Sequence, residues 1–320
     1  MRLHVDRELF DDLIEVTAAS LNIPAIYVEK DYWVTYILKK LSLSDYSEVA
    51  IFKGGTSLSK AYNLIERFSE DIDLAVIVDG KTGNQIKALI RNIEKQLLDY
   101  NFKEIQTHQT SKGSQFRKTL YEYPKIKEGL FGHANENIII ELNSFAMPHP
   151  FGKKTIVSYI GAFLADKDMQ TINAFALEPF EVNVLDYRRT FCEKLSAVAR
   201  ASHESDKNLS ELKEKIRHFY DIHYLMQEEN IVNFLDSDVF VEMIKVVRSD
   251  DTKQFQTAQW ALVILHETEI FANPKGVLNK LEHFYNNNFS QLVYTAEMPS
   301  VETLIQTIEK IAIILKEKDL

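Results

Sequence analysis

Two aspartates separated by one residue are the feature of this sequence that most clearly suggests chemistry. Asp71 and Asp73 lie in the largely apolar segment 71–78, which is typical of a strand. Side chains at i and i+2 of a strand share a face, so the two carboxylates lie side by side. They repel each other, and Mg²⁺, which prefers carboxylate and phosphate oxygens, removes that conflict. Asp-x-Asp is also a common pattern, and the alternative is one aspartate that ends the strand and one that is solvated.

A Gly-Gly turn precedes this strand. A short apolar strand ends at Lys53, and Gly54 and Gly55 then allow the backbone to bend sharply and approach a ligand. Thr56 or Ser57 could cap a following short helix, whose free N–H groups suit a phosphate. The alternative is an ordinary strand-to-helix turn with a Ser/Thr cap. The spacing matches neither a P-loop nor a dinucleotide-binding fingerprint.

The elements that must position these residues fall into two groups. Helices alternate with short apolar strands up to about residue 186, and nearly all later segments have helical spacing. We therefore predict an α+β fold, with an α/β domain built on a mixed sheet over 1–185 and an all-helical bundle domain over 186–320. A chain of 320 residues is long enough for about two domains.

The order of these features resembles a known superfamily. A strand, a Gly-Gly-Thr-Ser turn, a short helix and a strand bearing Asp-x-Asp are the signature of polymerase-β-like nucleotidyltransferases. The string GGTSLSKAY from Gly54, followed by RFSEDIDL from Arg67, resembles the AbiEii/AbiGii-type nucleotidyltransferase toxins more closely. The resemblance is specific over residues 51–78.

The resemblance implies transfer of a nucleoside monophosphate from an NTP to an acceptor, with release of pyrophosphate. It implies two Mg²⁺ ions, with Mn²⁺ as the alternative metal, between Asp71, Asp73 and a third carboxylate. Glu141, in the apolar strand 137–145, is the candidate, although the family more often has aspartate there. The alternative for Glu141 is an edge-strand glutamate that faces water. The nucleotide-binding candidates within the core motif are Lys53, Gly54, Gly55, Thr56, Ser57, Lys60, Arg67 and Ser69.

Later motifs extend the resemblance into the helical region. Lys194 would reach the triphosphate and offset its charge, and Asp221 would orient Lys194 or bind the substrate. The alternative for Asp221 is a surface ion pair with Arg217, four residues earlier. Arg67 has an alternative as well, because it could fold back on the neighbouring Glu66 or Glu70.

The resemblance also implies partners: a cognate antitoxin of a toxin–antitoxin or phage-defence pair, and the 3′ end of tRNA as the acceptor. The formal charge of 37 − 47 = −10 means that any RNA contact is local. Other acceptors, protein or small molecule, stay open because the core motif reports only the donor. An NTP-binding interaction module without turnover is a further alternative. The basic candidates for RNA contact form a run, Lys112, Arg117, Lys118, Lys125 and Lys127, and further candidates are Lys153, Lys154, Arg188 and Arg189. The alternative for each of them is a solvated surface residue.

Composition bounds the compartment. The one cysteine, Cys192, cannot form an internal disulfide. The first dozen residues carry several charges, unlike a signal peptide, and no apolar run approaches the roughly 20 residues that span a bilayer. We therefore expect a cytoplasmic protein without a membrane partner.

Overall fold

The structure is a computed structural model that describes residues 1–69, 71–129, 135–255, 260, 262–294 and 298–320, the side chain of Phe255 excepted. The chain divides into two compact units. The first comprises Met1–Asn63 and Phe68–Leu185, and the second comprises Leu64–Arg67 and Asp186–Leu320. The short segment Leu64–Arg67 is thus assigned to the second unit, although the chain on both sides of it belongs to the first.

The first unit is built on one sheet of eight strands in the order β3-β5-β6-β2-β1-β8-β7, with β4 paired to β5. The strands are β1 (Ala50–Lys53), β2 (Asp71–Val76), β3 (Lys103–Ile105), β4 (Ser111–Lys112), β5 (Phe116–Glu122), β6 (Ile138–Asn143), β7 (Phe151–Ile156) and β8 (Phe180–Leu185). The pairs β2–β6 and β1–β8 are parallel, and the remaining pairs are antiparallel. The predicted mixed sheet is confirmed.

Six helices accompany this sheet: α1 (Arg7–Leu21), α2 (Ala25–Ser42), α3 (Gly54–Lys60), α4 (Gly83–Leu97), α5 (Tyr159–Leu164) and α6 (Met169–Phe175). The Asp6 side chain caps α1 by accepting from Leu9 N, and Asn22 ends it in the left-handed conformation. The core strands contribute completely buried aliphatic side chains, including Ile72, Leu74 and Ile140, which anchor the register of the central strands.

Helix α2 carries three consecutive buried charged residues, each tied to a distant segment. Glu29 accepts hydrogen bonds from the backbone N–H groups of Ile126 and Lys127. The Lys30 ammonium donates to a backbone carbonyl, that of Asn135, and Asp31 pairs with the Lys60 ammonium. Buried charges are tolerated when they are paired or hydrogen-bonded, so α2 organises the first unit by polar contacts as well as packing.

The second unit is helical throughout its described regular structure, apart from a single bridge between Arg67 and Val293. The α-helices are α7 (Tyr187–Glu204), α8 (Ser210–Glu214), α9 (Ile216–Leu225), α10 (Glu229–Asp236), α11 (Asp238–Phe255), α12 (Glu269–Ala272), α13 (Pro274–Asn287) and α14 (Val301–Glu317), with 3₁₀ turns at Leu265–Glu267 and Phe289–Leu292. Helix α7 packs against α8, α9, α11 and α12, and α13 packs against α14. None of the helices described is long and apolar enough to cross a bilayer.

One local prediction was wrong. The short helix α3 starts at Gly54, with Lys53 as its N-cap, so neither Thr56 nor Ser57 is the capping residue. Both hydroxyls instead lie within the helix, where they bind carbonyl groups. Gly54 has a φ of 78°, a left-handed value that glycine adopts without strain, so the chain can turn from β1 directly into the helix.

Candidate active site

The Gly-Gly turn packs directly against the second aspartate of the pair. A Cβ atom added at Gly54 would lie 2.1 Å from Asp73 Oδ2, a distance that no side chain can occupy. Two features therefore require glycine at position 54: the backbone has a positive φ, and the Asp73 carboxylate leaves no space for a side chain. The turn and the Asp-x-Asp strand, which the sequence analysis treated as two motifs, form one structural unit.

The hydroxyls that follow the glycines fix this turn from within. Thr56 Oγ1 donates to the carbonyl of Asp71 at 2.6 Å and lies 2.9 Å from Ser69 Oγ. Ser57 Oγ donates to the carbonyl of Gly54 at 2.8 Å. Thr56 and Ser57 are both buried. The Thr56 side chain thus holds α3 against the start of β2, and the Ser57 side chain binds within α3, while their binding of a nucleotide stays a prediction.

Four charged residues form a row across four neighbouring strands. Lys53 on β1 is the register partner of Asp73 on β2, and Asp73 is the parallel partner of Glu141 on β6. Glu141 is in turn the partner of Lys118 on β5. Partners in register project from the same face of a sheet. The charged row of Lys53, Asp73, Glu141 and Lys118 thus runs plus, minus, minus, plus, and Asp71 shares its face.

Glu141 was predicted either as a third metal carboxylate or as a glutamate on an edge strand, and the structure excludes the edge strand. Strand β6 has β5 on one side and β2 on the other, so Glu141 is on an interior strand and not on a sheet edge. It is flanked in sequence by the buried residues Ile140 and Leu142, which occupy the opposite face. Its position beside Asp73 is the one that a third metal carboxylate needs, although that role itself stays a prediction.

The repulsion between these carboxylates affects the pKa of Asp73. Burial raises the pKa of the Asp73 carboxyl well above its ordinary value, and the nearby charges of Glu141 and Asp71 raise it further. Lys53 and Lys118 lower it, but they do not outweigh the other effects. A carboxylate with a raised pKa is one whose ionised form lacks sufficient positive charge nearby. The donor set therefore fits a hard divalent cation in its chemistry.

Glu141 already has a cationic partner in the protein. Lys118 Nζ lies 2.6 Å from Glu141 Oε1, and both side chains are partly exposed. Among the residues that the structure describes, no three His, Cys, Asp or Glu side chains are gathered closely enough to hold a metal ion. Asp71, Asp73 and Glu141 thus lie on the same face of the sheet and carry charges of the same sign, but their carboxylates do not converge on one point in this arrangement.

Lys60, predicted to bind nucleotide, has a partner inside the first unit. Its ammonium pairs with Asp31, and both side chains are 5% exposed. The second oxygen of Asp31 accepts from the backbone N–H of Tyr159 at 2.8 Å. The charge of Lys60 is therefore balanced by α2, and a role toward a nucleotide stays a prediction.

The predicted residues of the second unit meet in a buried charge cluster. Arg67 donates from Nε and Nη2 to the two oxygens of Asp221, at 2.6 and 2.7 Å. Lys194 Nζ lies 2.7 Å from Asp221 Oδ2. Asp221 is completely buried, so the alternative of a surface ion pair with Arg217 is excluded. Arg67 binds Asp221, and Glu70, one of the two neighbours considered as its partner, lies outside the described residues.

Asp221 stays ionised because of these two cations. Burial by itself raises the pKa of a carboxyl group, but the charges and hydrogen bonds of Arg67 and Lys194 lower the pKa of Asp221 far below its ordinary range. His218, which the sequence analysis did not include in the site, places Nδ1 3.5 Å from Lys194 Nζ. Its position three residues before Asp221 on α9 is the only sequence signal that could have indicated it.

The five basic residues in the run predicted to contact RNA all have acidic partners. Arg117 forms a buried pair with Glu94, and Lys118 pairs with Glu141. The other three lie in more exposed pairs: Lys112 with Glu104, Lys125 with Glu136, and Lys127 with Asp11 and Glu15. This run of positive charge in the sequence is therefore largely balanced in the folded protein.

The fold of this chain is similar to that of a solved nucleotidyltransferase toxin. A solved structure of MenT4, a nucleotidyltransferase toxin from Mycobacterium tuberculosis H37Rv, superposes with a TM-score of 0.62 at 15% identity and covers 95% of this chain and 89% of its own. JHP933 from Helicobacter pylori matches with a TM-score of 0.43 at 14% identity, over 91% of this chain and 92% of that one. No curated protein sequence matches.

The fold class is confirmed: a polymerase-β-like nucleotidyltransferase fold with a mixed sheet, followed by helices. The family model described as "Nucleotidyl transferase AbiEii toxin, Type IV TA system" matches residues 36–306, which is most of the sequence. The match includes the Gly-Gly turn, the Asp-x-Asp strand, Glu141, Lys194 and Asp221. The chain therefore belongs to the AbiEii family of nucleotidyltransferase toxins.

Proposed function

We propose that this nucleotidyltransferase moves a nucleoside monophosphate from an NTP to the 3′ end of tRNA in an Mg²⁺-dependent reaction. The observation that carries the catalytic part is the placement of Asp73 beside Glu141 in adjacent strands, with Gly54 packed on Asp73 Oδ2. The tRNA acceptor rests on what the family resemblance implies, because the core motif itself reports only the donor.

The family description indicates the general biological role. A type IV toxin–antitoxin family implies an NTP substrate and a cognate antitoxin. The proposed reaction would then be the toxic activity, directed at an RNA that the cell needs. A role in phage defence, and a cytoplasmic location, belong to the same proposal.

Asp71, Asp73 and Glu141 are the residues proposed to hold the cation. A divalent cation at these carboxylates would polarise the acceptor hydroxyl and offset the charge of the phosphates. The raised pKa of Asp73 supports this assignment, because a carboxylate that is short of positive charge gains most from a bound cation. Mn²⁺, which takes similar oxygen ligands, is the alternative metal.

Phosphate binding is assigned to the backbone of the turn. The hydroxyls of Thr56 and Ser57 already donate to the carbonyls of Asp71 and Gly54, so their side chains do not offer further donors. We assign the phosphates to the main chain at Gly54 and Gly55, with Ser69 next to Thr56 and with Lys53 at the end of the charged row. Arg67, Lys194 and Asp221 remain proposed site residues because of the family motif, and Lys60 is the least supported of the set.

An incorporation assay tests this proposal. The purified chain is incubated with Mg²⁺ and each radioactively labelled NTP in turn, together with total bacterial RNA, total protein or small-molecule acceptors. We expect label on a tRNA-sized band. It should be lost in Asp73→Asn and retained in Asp79→Asn, which changes an exposed aspartate just beyond β2.

The acceptor part and the catalytic part fail in different ways. Label in protein or a small molecule alone would overturn the tRNA assignment and leave the transferase chemistry standing. The paired basic residues and the charge of −10 give that alternative its physical support. Label that survives in Asp73→Asn would overturn the assigned site.

A further inference from the structure

Lys118 ends the charged row, and its ammonium holds the carboxylate that is proposed as the third metal ligand. Lys118 Nζ and Glu141 Oε1 are 2.6 Å apart, and the side chains are 29% and 23% exposed. The two residues are register partners on β5 and β6, so the pair lies on the same face as Asp73. The contact is an ion pair between one ammonium group and one carboxylate oxygen, next to the acidic Asp73.

The neighbouring residue on β5 shows what a permanent structural pair looks like. Arg117, on the opposite face, donates from both Nε and Nη2 to Glu94 Oε2, and that pair is almost completely buried. Thr119 donates to the other oxygen of Glu94. Breaking such a network leaves a buried charge unpaired, whereas Lys118 and Glu141 reach solvent and can separate at lower cost.

Three carboxylates lie near the Lys118 ammonium and favour its charged form. Burial lowers the pKa of its ammonium, but Glu141, Asp71 and Asp73 raise that pKa above its ordinary value. Lys118 is thus a lasting positive charge beside three carboxylates that repel one another. A lysine ammonium and a divalent cation are alternative partners for the same carboxylate oxygen, and both cannot occupy it.

We propose that Lys118 is a positioning residue that holds the Glu141 carboxylate while no divalent cation is bound and is displaced from Glu141 when a cation binds. This inference rests on the proposed function, which makes Glu141 a metal ligand. Lys118 would keep the three carboxylates apart from one another in the free enzyme, and its release would deliver Glu141 to the cation.

Lysine acetylation of the full chain, read by mass spectrometry with and without Mn²⁺, tests the displacement directly. Acetylation takes place at the neutral amine, which a lysine forms more readily once it has lost its carboxylate partner. The acetylation rate of Lys118 should therefore rise several-fold when Mn²⁺ is added. Lys112 is the internal control, because it pairs with Glu104 at 2.5 Å and is 36% exposed but has no part in the charged row. Its rate should not change.

Calorimetric titration with Mn²⁺ separates this inference from the proposed function. Lys118→Met should bind Mn²⁺ roughly two- to fivefold more tightly than the wild type, because a partly exposed ion pair no longer has to be broken. Lys112→Met should bind Mn²⁺ like the wild type. Asp73→Asn should abolish the binding and so identify the site.

Each failure has its own meaning. If the wild type binds no Mn²⁺ that Asp73→Asn removes, both the proposed metal site and the displacement are wrong. If Asp73→Asn removes the binding while Lys118 keeps the same acetylation rate and Lys118→Met the same affinity, the metal site stands and the inference about Lys118 is overturned.

Discussion

Arg67 and Asp221, 154 positions apart in the sequence, form a two-point ion pair in which Nε and Nη2 of the arginine bind the two carboxylate oxygens. Lys194 shares one of these oxygens, so a single completely buried carboxylate balances two cations. Arg67 thus binds both oxygens of Asp221, and this contact is costly to break because the charges are buried. A role of Arg67 as a phosphate ligand stays a prediction.

We predict that Asp221→Asn destabilises the protein by about 3–5 kcal/mol, because it leaves two buried cations without their counter-ion. Urea unfolding measures this loss. Asp236→Asn, which neutralises an exposed aspartate at the end of α10, is the control and should change the free energy of unfolding little. Equal effects of the two substitutions would show that the buried cluster does not stabilise the fold.

The same carboxylate predicts a pH dependence. The pKa of Asp221 is lowered in the folded state, so its contribution to stability is present above the unfolded pKa of about 3.9 and is lost as the pH falls through the folded pKa. The stability difference between wild type and Asp221→Asn should therefore be constant from neutral pH to about pH 5 and shrink only in stronger acid. A difference that already declines between pH 7 and pH 5 would contradict the assignment.

Asp73 should behave in the opposite way. Its pKa is raised in the folded state, so its ionisation opposes folding at neutral pH, and this penalty fades as the pH falls through the folded pKa. We predict that Asp73→Asn raises the melting temperature in EDTA at pH 7 while it lowers transferase activity by at least about a hundredfold. Asp79→Asn is the control for both measurements. A lower melting temperature for Asp73→Asn would refute the argument.

Gly54→Ala should abolish activity through geometry. The added methyl group would lie 2.1 Å from Asp73 Oδ2, and the φ of 78° would cost a further ~1 kcal/mol. Gly80 offers a matched control, since its φ is 70° and a methyl group added there would meet no atom within 4 Å. Gly80→Ala should show the backbone cost in thermal unfolding and keep its activity. Full activity in Gly54→Ala would exclude a role for this close contact.

The Lys60–Asp31 pair allows a structural role to be separated from nucleotide binding. Because both side chains are buried, Lys60→Met should cost about 3 kcal/mol in urea unfolding, and adding Asp31→Asn should cost less than the sum of the two single changes. If Lys60 acts only through its pair with Asp31, the Michaelis constant for the NTP should stay near that of the wild type in the folded enzyme. A large rise in that constant, with little loss of stability, would restore Lys60 as a nucleotide ligand.

Part of the first unit could be predicted because its central strands β1, β2 and β6 are short and largely apolar. Alternation along β2 and β6 correctly placed Asp73 and Glu141 on faces opposite the buried residues. Periodicity cannot say which strands become neighbours, however. The parallel pairing of β2 with β6, which sets Asp73 beside Glu141, depends on contacts between segments almost seventy residues apart.

The remaining differences have physical reasons too. Strand β7 was not predicted, since residues 152–155 are all exposed and no apolar alternation marks them. The pairs Lys118–Glu141 and Arg67–Asp221 were not predicted, because spacing along the chain indicates only neighbours in sequence, such as Arg217 for Asp221. The structure supplies these partners from another strand and from a segment 154 positions away. The contact of Asp221 with Lys194, in contrast, was implied by the resemblance.

The assignment of Leu64–Arg67 to the second unit bears on whether the two units are separable modules. A fragment that begins at Asp186 would lack Arg67, and its Asp221 would keep only Lys194 as a cationic partner. A fragment that ends at Leu185 would carry Arg67 away from its carboxylate. The second unit therefore depends on a short segment that lies, in sequence, within the first unit. If relatives exchanged one unit by a single crossover at residue 185, the arginine and the aspartate of the pair would come from different proteins and would not have evolved together.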